Sequence, residues 1–254
     1  MTATVNFDAL PRAGDRRGEL LAGRLANYAD RGAFAQVRDW SRSQVAGTGG
    51  RVLEVGPGLG ETLAALAGVG ADVTYLDASE FFASRVAAIT AGTVGDVTAM
   101  PYRDGAFRAV LADRVLHHVA GLEAALVELA RVLEVGGRLV VTLPDLTTLR
   151  ADAPSASFAK FAAATATDRV VTARADAAQA VAGAAHWDVV EQVRVTVTDR
   201  DDIEAYVRPA ERIEAFAAQG YLDAGDVAAL SEWAAGTERA WAFELVGLAL
   251  TPRR

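Results

Sequence analysis

The chain has 254 residues, 52% hydrophobic and 23% charged, with a formal net charge of −8. That is enough to bury a sizeable core and too apolar for a disordered chain, and the acidic balance argues against sliding on nucleic acid or adhering to anionic lipid. Cysteine is absent, which excludes disulfides, thiolate zinc sites and cysteine nucleophiles.

Residues from about 15 to 46 read as helical. Arg12, Arg16, Arg17 and Arg24, interleaved with Asp15 and Glu19, form a solvated face, and Leu20, Leu21, Leu25, Tyr28, Phe34, Val37 and Trp40 form the apolar stripe. Gly47-Thr48-Gly49-Gly50 breaks the pattern. Strands are then expected at 51–55, 72–77, 93–96, 108–113 and 137–143, the last stopped by Pro144, with helices at 61–67, 80–89 and 122–133 between them. This alternation predicts an α/β fold, a mostly parallel sheet with helices on both faces. Beyond it, 155–183 reads as helix, 188–198 as a strand with one wet face, 201–218 and 224–235 as helices, and 242–251 as a last strand. We expect one domain over 1–254: a helical N-terminal cover (1–49), a ligand-binding core (50–145), and a substrate side (146–254) with a helical insertion before the last strand. No uncharged apolar run is long enough to span a bilayer, and no cationic start followed by an apolar block marks a signal peptide, so a cytoplasmic protein is expected.

The most informative segment is Val52-Leu53-Glu54-Val55-Gly56-Pro57-Gly58-Leu59-Gly60-Glu61. A buried strand runs into three alternate glycines and then a helix, a turn that brings bare backbone to a ligand. Glu54 and Glu61 flank it, and carboxylates there repel a diphosphate, which wants the helix N-terminus for itself. A dinucleotide fingerprint would also place its third glycine where Glu61 stands. Ligands of open α/β sheets lie outside the carboxyl ends of the strands. Glu54, Asp77, Asp96 and Asp113 stand at four such ends, and residues 51–113 hold eight acidic and four basic side chains. A negative rim is expected. Asp77, 17 residues past Gly60, suits a ribose diol or a helix cap for the segment starting at Ser79, and Asp96 with Val97 suits an adenine edge or a plain turn.

These segments resemble the class I S-adenosylmethionine-dependent methyltransferases of the small-molecule branch, the methyltransferase type 11 or ubiquinone-menaquinone type. The resemblance rests on residues 52–60, on Gly95 to Phe107, on Val115-Leu116-His117-His118-Val119 and on Leu129 to Val141, in register. It implies a Rossmann-like seven-stranded sheet with one antiparallel strand. It also implies S-adenosyl-L-methionine as cofactor, S-adenosyl-L-homocysteine as product, and a small organic acceptor. By the same resemblance Glu54, Gly56, Pro57, Gly58 and Gly60 face the methionine part, Asp77 and Ala78 the ribose, Asp96 and Val97 the adenine, and Asp113 and Arg114 the methionine amino group. A homodimer is left open. A non-methylating cyclase or decarboxylase, or a non-catalytic binding subunit, are the other classes such a fold allows.

His117 and His118 follow the fourth strand, where a neutral imidazole could take a proton from an acceptor hydroxyl or amine. The alternative is that one packs under the sheet rim, bonded to backbone. His186, before a strand, reads as structural. Three histidines without ligand spacing predict no metal site. Asp199, Asp201, Asp202 and Glu204 read as the first turn of a helix. Some of the late aromatics, with Tyr28 and Trp40, are expected to line an apolar acceptor pocket.

Overall fold

The computed structural model describes residues 15, 18–19, 22–23, 26, 32–152, 155–167, 175–235 and 241–253. Arg12, Arg16, Arg17, Arg24, Leu20, Leu21, Leu25 and Tyr28 fall outside these. A single seven-stranded sheet has the strand order β3-β2-β1-β4-β5-β7-β6. Its strands are β1 (Val52–Val55), β2 (Val73–Asp77), β3 (Gly92–Val94), β4 (Phe107–Asp113), β5 (Leu133–Ala151), β6 (Trp187–Val197) and β7 (Trp241–Pro252). Only β7 runs against the others, antiparallel to both β5 and β6. The order turns back between β1 and β4, and this opens a crevice at their carboxyl ends.

The helices fall on both faces because alternate strand residues point opposite ways. Val110 and Ala112 of β4 join Leu53, Val141 and Leu143 in a core closed by α4 (Leu122–Val132) and α6 (Ala177–Ala182). Ala109 and Leu111 face the other way, toward Val52, Tyr75, α2 (Glu61–Gly68) and α3 (Glu80–Val86). A third apolar core is built by α5 (Ala156–Thr167), α7 (Arg200–Tyr206), α8 (Pro209–Ala218) and α9 (Ala224–Ala235) around Leu149, Trp241 and Phe243. It forms a cap on the far ends of β5 and β7.

Helix α1 (Gly32–Val45) joins these parts. Its Val45 lies in the sheet core, and its Phe34 and Val37 lie in the cap core. Between them Trp40 lies flat on Gly247 of β7, where a Cβ would stand 2.4 Å from the indole. The Trp40 Nε1 donates to Glu191 at 2.8 Å. Trp40 thus packs on the sheet.

Three expectations need correction. Pro144 does not end its strand. Thr142 accepts from Arg114 N, so its backbone faces β4, and Pro144, two residues on, faces the same side. The last partner on β4 is Asp113, opposite Thr142. The N–H that proline lacks therefore has no ladder to join, and β5 continues to Ala151 paired with β7 alone. The helix expected over 201–218 is two helices, because Arg208 sits at φ 50° and Pro209 begins α8. The third strand ends at Val94, so Asp96 lies in the loop beyond it. The acidic run behaves as expected: Asp199 caps α7 by accepting from the N–H groups of Asp201 and Asp202.

Gly247→Ala should cost about 1–3 kcal/mol through overpacking against Trp40. A lowered urea midpoint with an unchanged slope checks this.

Candidate functional site

Backbone geometry builds the turn after β1. Gly56, Gly58 and Gly60 all take positive φ (63°, 56° and 81°), a region that side chains disfavour. A Cβ on Gly56 would also stand 2.5 Å from Val115, and one on Gly60 would stand 2.7 Å from Val86. Two of the three glycines are therefore required by the protein's own packing, and the contact of Gly56 with Val115 fixes the segment after β4 beside the turn. Pro57 is buried within the turn, and Gly60 N closes it by donating to Pro57 O at 2.8 Å.

Glu54 is 2% exposed, and its Oε2 has no hydrogen-bond partner. Burial drives its pKa well above the usual carboxylate range, Asp113 and Glu61 push it further up, and Arg42 pulls it back. Asp113 accepts from Thr142 Oγ1, and Arg114 Nη2 lies 3.3 Å from its other oxygen. Arg114 itself adopts φ 56°, with its guanidinium 5.6 Å from the centre of the Phe34 ring.

The rim is less negative than expected. Arg38, 5% exposed, pairs with Glu61 at 2.6 Å, and Arg42 Nε donates to Thr62 at 3.3 Å. Both arginines come from α1, whose pattern Phe34, Val37, Arg38, Ser41, Val45 is buried along one face. That pattern could have revealed them: Arg38 falls four residues after Phe34 on the apolar side, and Arg42 four further on.

The other expected residues lie further along the edge. Asp77 ends β2 at 8% exposed, and its Oδ1 accepts from Ser79 N at 2.8 Å. Its other oxygen makes no hydrogen bond among the described residues. Burial, against that one bond, raises its pKa to about 6. Ala78 follows, half-buried. Gly95 N donates to Asp77 O at 2.9 Å, which ties the next loop to this strand end. In that loop Asp96 Oδ1 accepts from Thr98 N at 2.8 Å, while Val97 is buried. The structure thus groups Glu54, Glu61 and Asp113, and leaves Asp77 and Asp96 apart.

The two histidines form a short 3₁₀ turn with Leu116. His117 is 4% exposed, and no partner reaches its Nδ1. The expected backbone bond to a packed histidine is therefore absent at this atom. Burial lowers its pKa well below the usual value, with His118 and Arg114 adding to the effect, so the ring is neutral at pH 7. The His118 ring is exposed, its centre 4.0 Å from that of His117.

Residues 53–141 match the family model described as methyltransferase domain. This segment is similar to methyltransferase domains. A demethylmenaquinone methyltransferase from Beutenbergia cavernae is 38% identical over 111 residues, 41% of this chain and 46% of that protein. One from Mycobacterium sp. (strain KMS) is 34% identical over 150 residues, 53% of this chain and 56% of that protein. The chain spans about half the length, or less, of the curated relatives it matches. Among solved structures, the [4+2]-cyclase SpnF superposes with a TM-score of 0.54 at 19% identity, over 96% of this chain and 98% of that one. That likeness is one of fold.

The matched segment runs from β1 into β5 and holds Glu54, the glycine turn, Asp77, Asp96, Asp113 and both histidines. Helix α1 and the cap lie outside it. Among the described residues, no group of three or more histidine or acidic side chains could hold a metal ion, and no helix is long and apolar enough to cross a membrane.

An aspartate with a raised folded-state pKa favours the fold at low pH. That advantage fades as pH rises from about 4 to about 6, and above this the buried charge of Asp77 costs up to about 3 kcal/mol. Asp77→Asn should therefore stabilise the ligand-free protein at pH 8 and have little effect at pH 3.5. Urea unfolding at the two pH values checks the sign.

Proposed function

We propose that this chain is a cytoplasmic enzyme that binds S-adenosyl-L-methionine at the carboxyl edge of β1, β2 and β4. It transfers the methyl group to a small organic acceptor and releases S-adenosyl-L-homocysteine. The observation that carries this reading is Glu54, a fully buried carboxylate with an unpartnered oxygen beside a second carboxylate, Asp113. Such a pair is costly alone and is relieved by a cationic guest. The residues present fit this cofactor: two acids for its positive charges, an aspartate oxygen open for a diol, and a backbone turn kept free of Cβ atoms.

When bound, the cofactor supplies an electrophilic methyl group on a sulfonium sulfur. The chain does the rest. Glu54 and Asp113, with the backbone at Arg114, hold the positively charged methionine part against the turn from Gly56 to Gly60, with Pro57 in its wall. Asp77, beside Ala78, accepts from the ribose hydroxyls. Asp96 and Val97 border the adenine. Placing the acceptor in line supplies most of the rate, and the cap excludes water. His117, already neutral and with an open Nδ1, takes the proton if the acceptor is a hydroxyl or amine. His118, exposed, has a lesser claim.

The similarity to demethylmenaquinone methyltransferases over about half their length favours a flat, apolar acceptor. Phe158, Phe161, Phe216 and Trp241, linked by ring contacts 5.4–6.5 Å apart, are buried and hold the cap together. The side chains of Tyr206 and Trp233 fall outside the described residues.

Formation of S-adenosyl-L-homocysteine with a panel of hydroxylated quinone-like and phenolic acceptors tests the reaction. Asp77→Ala should weaken cofactor binding about 10–100-fold in calorimetry, the worth of one or two charge-assisted hydrogen bonds. Because Asp77 must be ionised to accept both hydroxyls, wild-type affinity should fall about tenfold between pH 8 and pH 5. A flat profile would remove Asp77 from the ribose site. His117→Gln should lower kcat by about 10²-fold or more with little change in cofactor affinity. Turnover near that of the wild type would leave His117 a packing residue.

A further inference from the structure

The loop between β3 and β4 carries Asp96 and Val97 yet has no regular structure from Gly95 to Ala106. One arginine on α4 holds it. Arg131 Nη1 donates to Tyr102 O at 2.7 Å and to Asp104 Oδ1 at 2.8 Å. Its Nη2 donates to Met100 O at 3.1 Å and to Glu128 Oε2 at 2.8 Å, and its Nε donates to Glu128 Oε1 at 2.7 Å. All five guanidinium donors are thereby used. The same Glu128 Oε2 accepts from Met100 N at 2.8 Å, and Arg131 O accepts from Gly105 N at 3.0 Å. The loop is therefore gripped at Met100 through both its N–H and its carbonyl, two residues past the turn that Asp96 makes with Thr98. At its start it is tied to the Asp77 carbonyl, and in its middle Tyr102 OH donates to Tyr75 O at 3.2 Å.

We infer that Glu128 and Arg131 are positioning residues for nucleobase recognition: their bidentate pair holds the 96–104 loop in its binding shape before any ligand arrives. This rests on the cofactor reading above, and neither residue touches the ligand. The physical reason is pre-organisation. A loop already fixed by charge-assisted bonds loses little conformational freedom when the base docks, and its carboxylate meets the base at a set distance. The arrangement needs the planar fork. A lysine keeps the charge but has only three donors on a mobile stem, too few for the five bonds that Arg131 makes to two carbonyls and two carboxylates.

The test compares wild type, Arg131→Lys and Glu128→Gln in the full chain. Amide hydrogen exchange is measured without ligand, and binding of S-adenosylhomocysteine is measured against S-inosylhomocysteine, which lacks the exocyclic amino group. The lysine variant should exchange the amides of 97–100 at least about tenfold faster. It should bind the adenosyl ligand about 10–100-fold more weakly and lose most of its preference over the inosyl ligand, because a loosened loop discriminates less. Glu128→Gln should show the same pattern in weaker form, and it decides the matter if the lysine variant does not fold. Unchanged exchange, or faster exchange with the wild-type ligand preference intact, overturns the positioning role alone. Wild-type protein that binds neither nucleoside overturns the cofactor reading and this role with it.

Discussion

The carboxylate of Glu54 is the constraint around which the site is arranged. It stands on a central strand whose four residues are all buried. A charge in that position must be solvated by the protein, paired, or suppressed by protonation. The structure supplies no full pairing. Arg42 is close enough to lower its pKa, but Asp113 and Glu61 oppose it. The glycine turn, the left-handed Arg114 and the crossing of α1 all lie around this one uncompensated group. Folding alone gains nothing from such an arrangement; a cationic ligand would.

Helix α1 ties the sheet edge to the cap. Its outer half belongs to the cap core and its inner half to the sheet core, and its two arginines meet the acids of the crevice in between. The ionic pair of Arg38 with Glu61 is nearly dry on the arginine side, so its partner matters more than that of a surface pair. Cover and floor are joined by the same side chains that balance the rim charge.

Much of the fold could be read from the sequence, because a parallel sheet writes short apolar runs between amphipathic helices. β1, β2 and β4, with the carboxylates at their ends, lie within a residue of where those runs put them. Pro144 misled, since proline usually ends a strand and the sequence does not show that β4 stops one pair earlier. Arg38 and Arg42 were missed because a charged pair inside an apolar stripe looks like a solvated face until its partners on a distant helix are known. The clamp of Arg131 was hidden for a related reason: two of its four partner residues, Met100 and Tyr102, are bonded through backbone carbonyls, which leave no residue-type signature. His117 was found by position, but its burial and its unbonded nitrogen depend on packing that spacing does not encode.

The extension of β5 past Pro144 has a wider consequence. The roof over the crevice is carried on two long strands that pass through the sheet and out beyond it, so roof and floor are one girder. Substitutions in the cap core can then reshape the space above the crevice without loosening the glycine turn after β1. Cover and turn can therefore vary separately, although one pair of strands carries the cover.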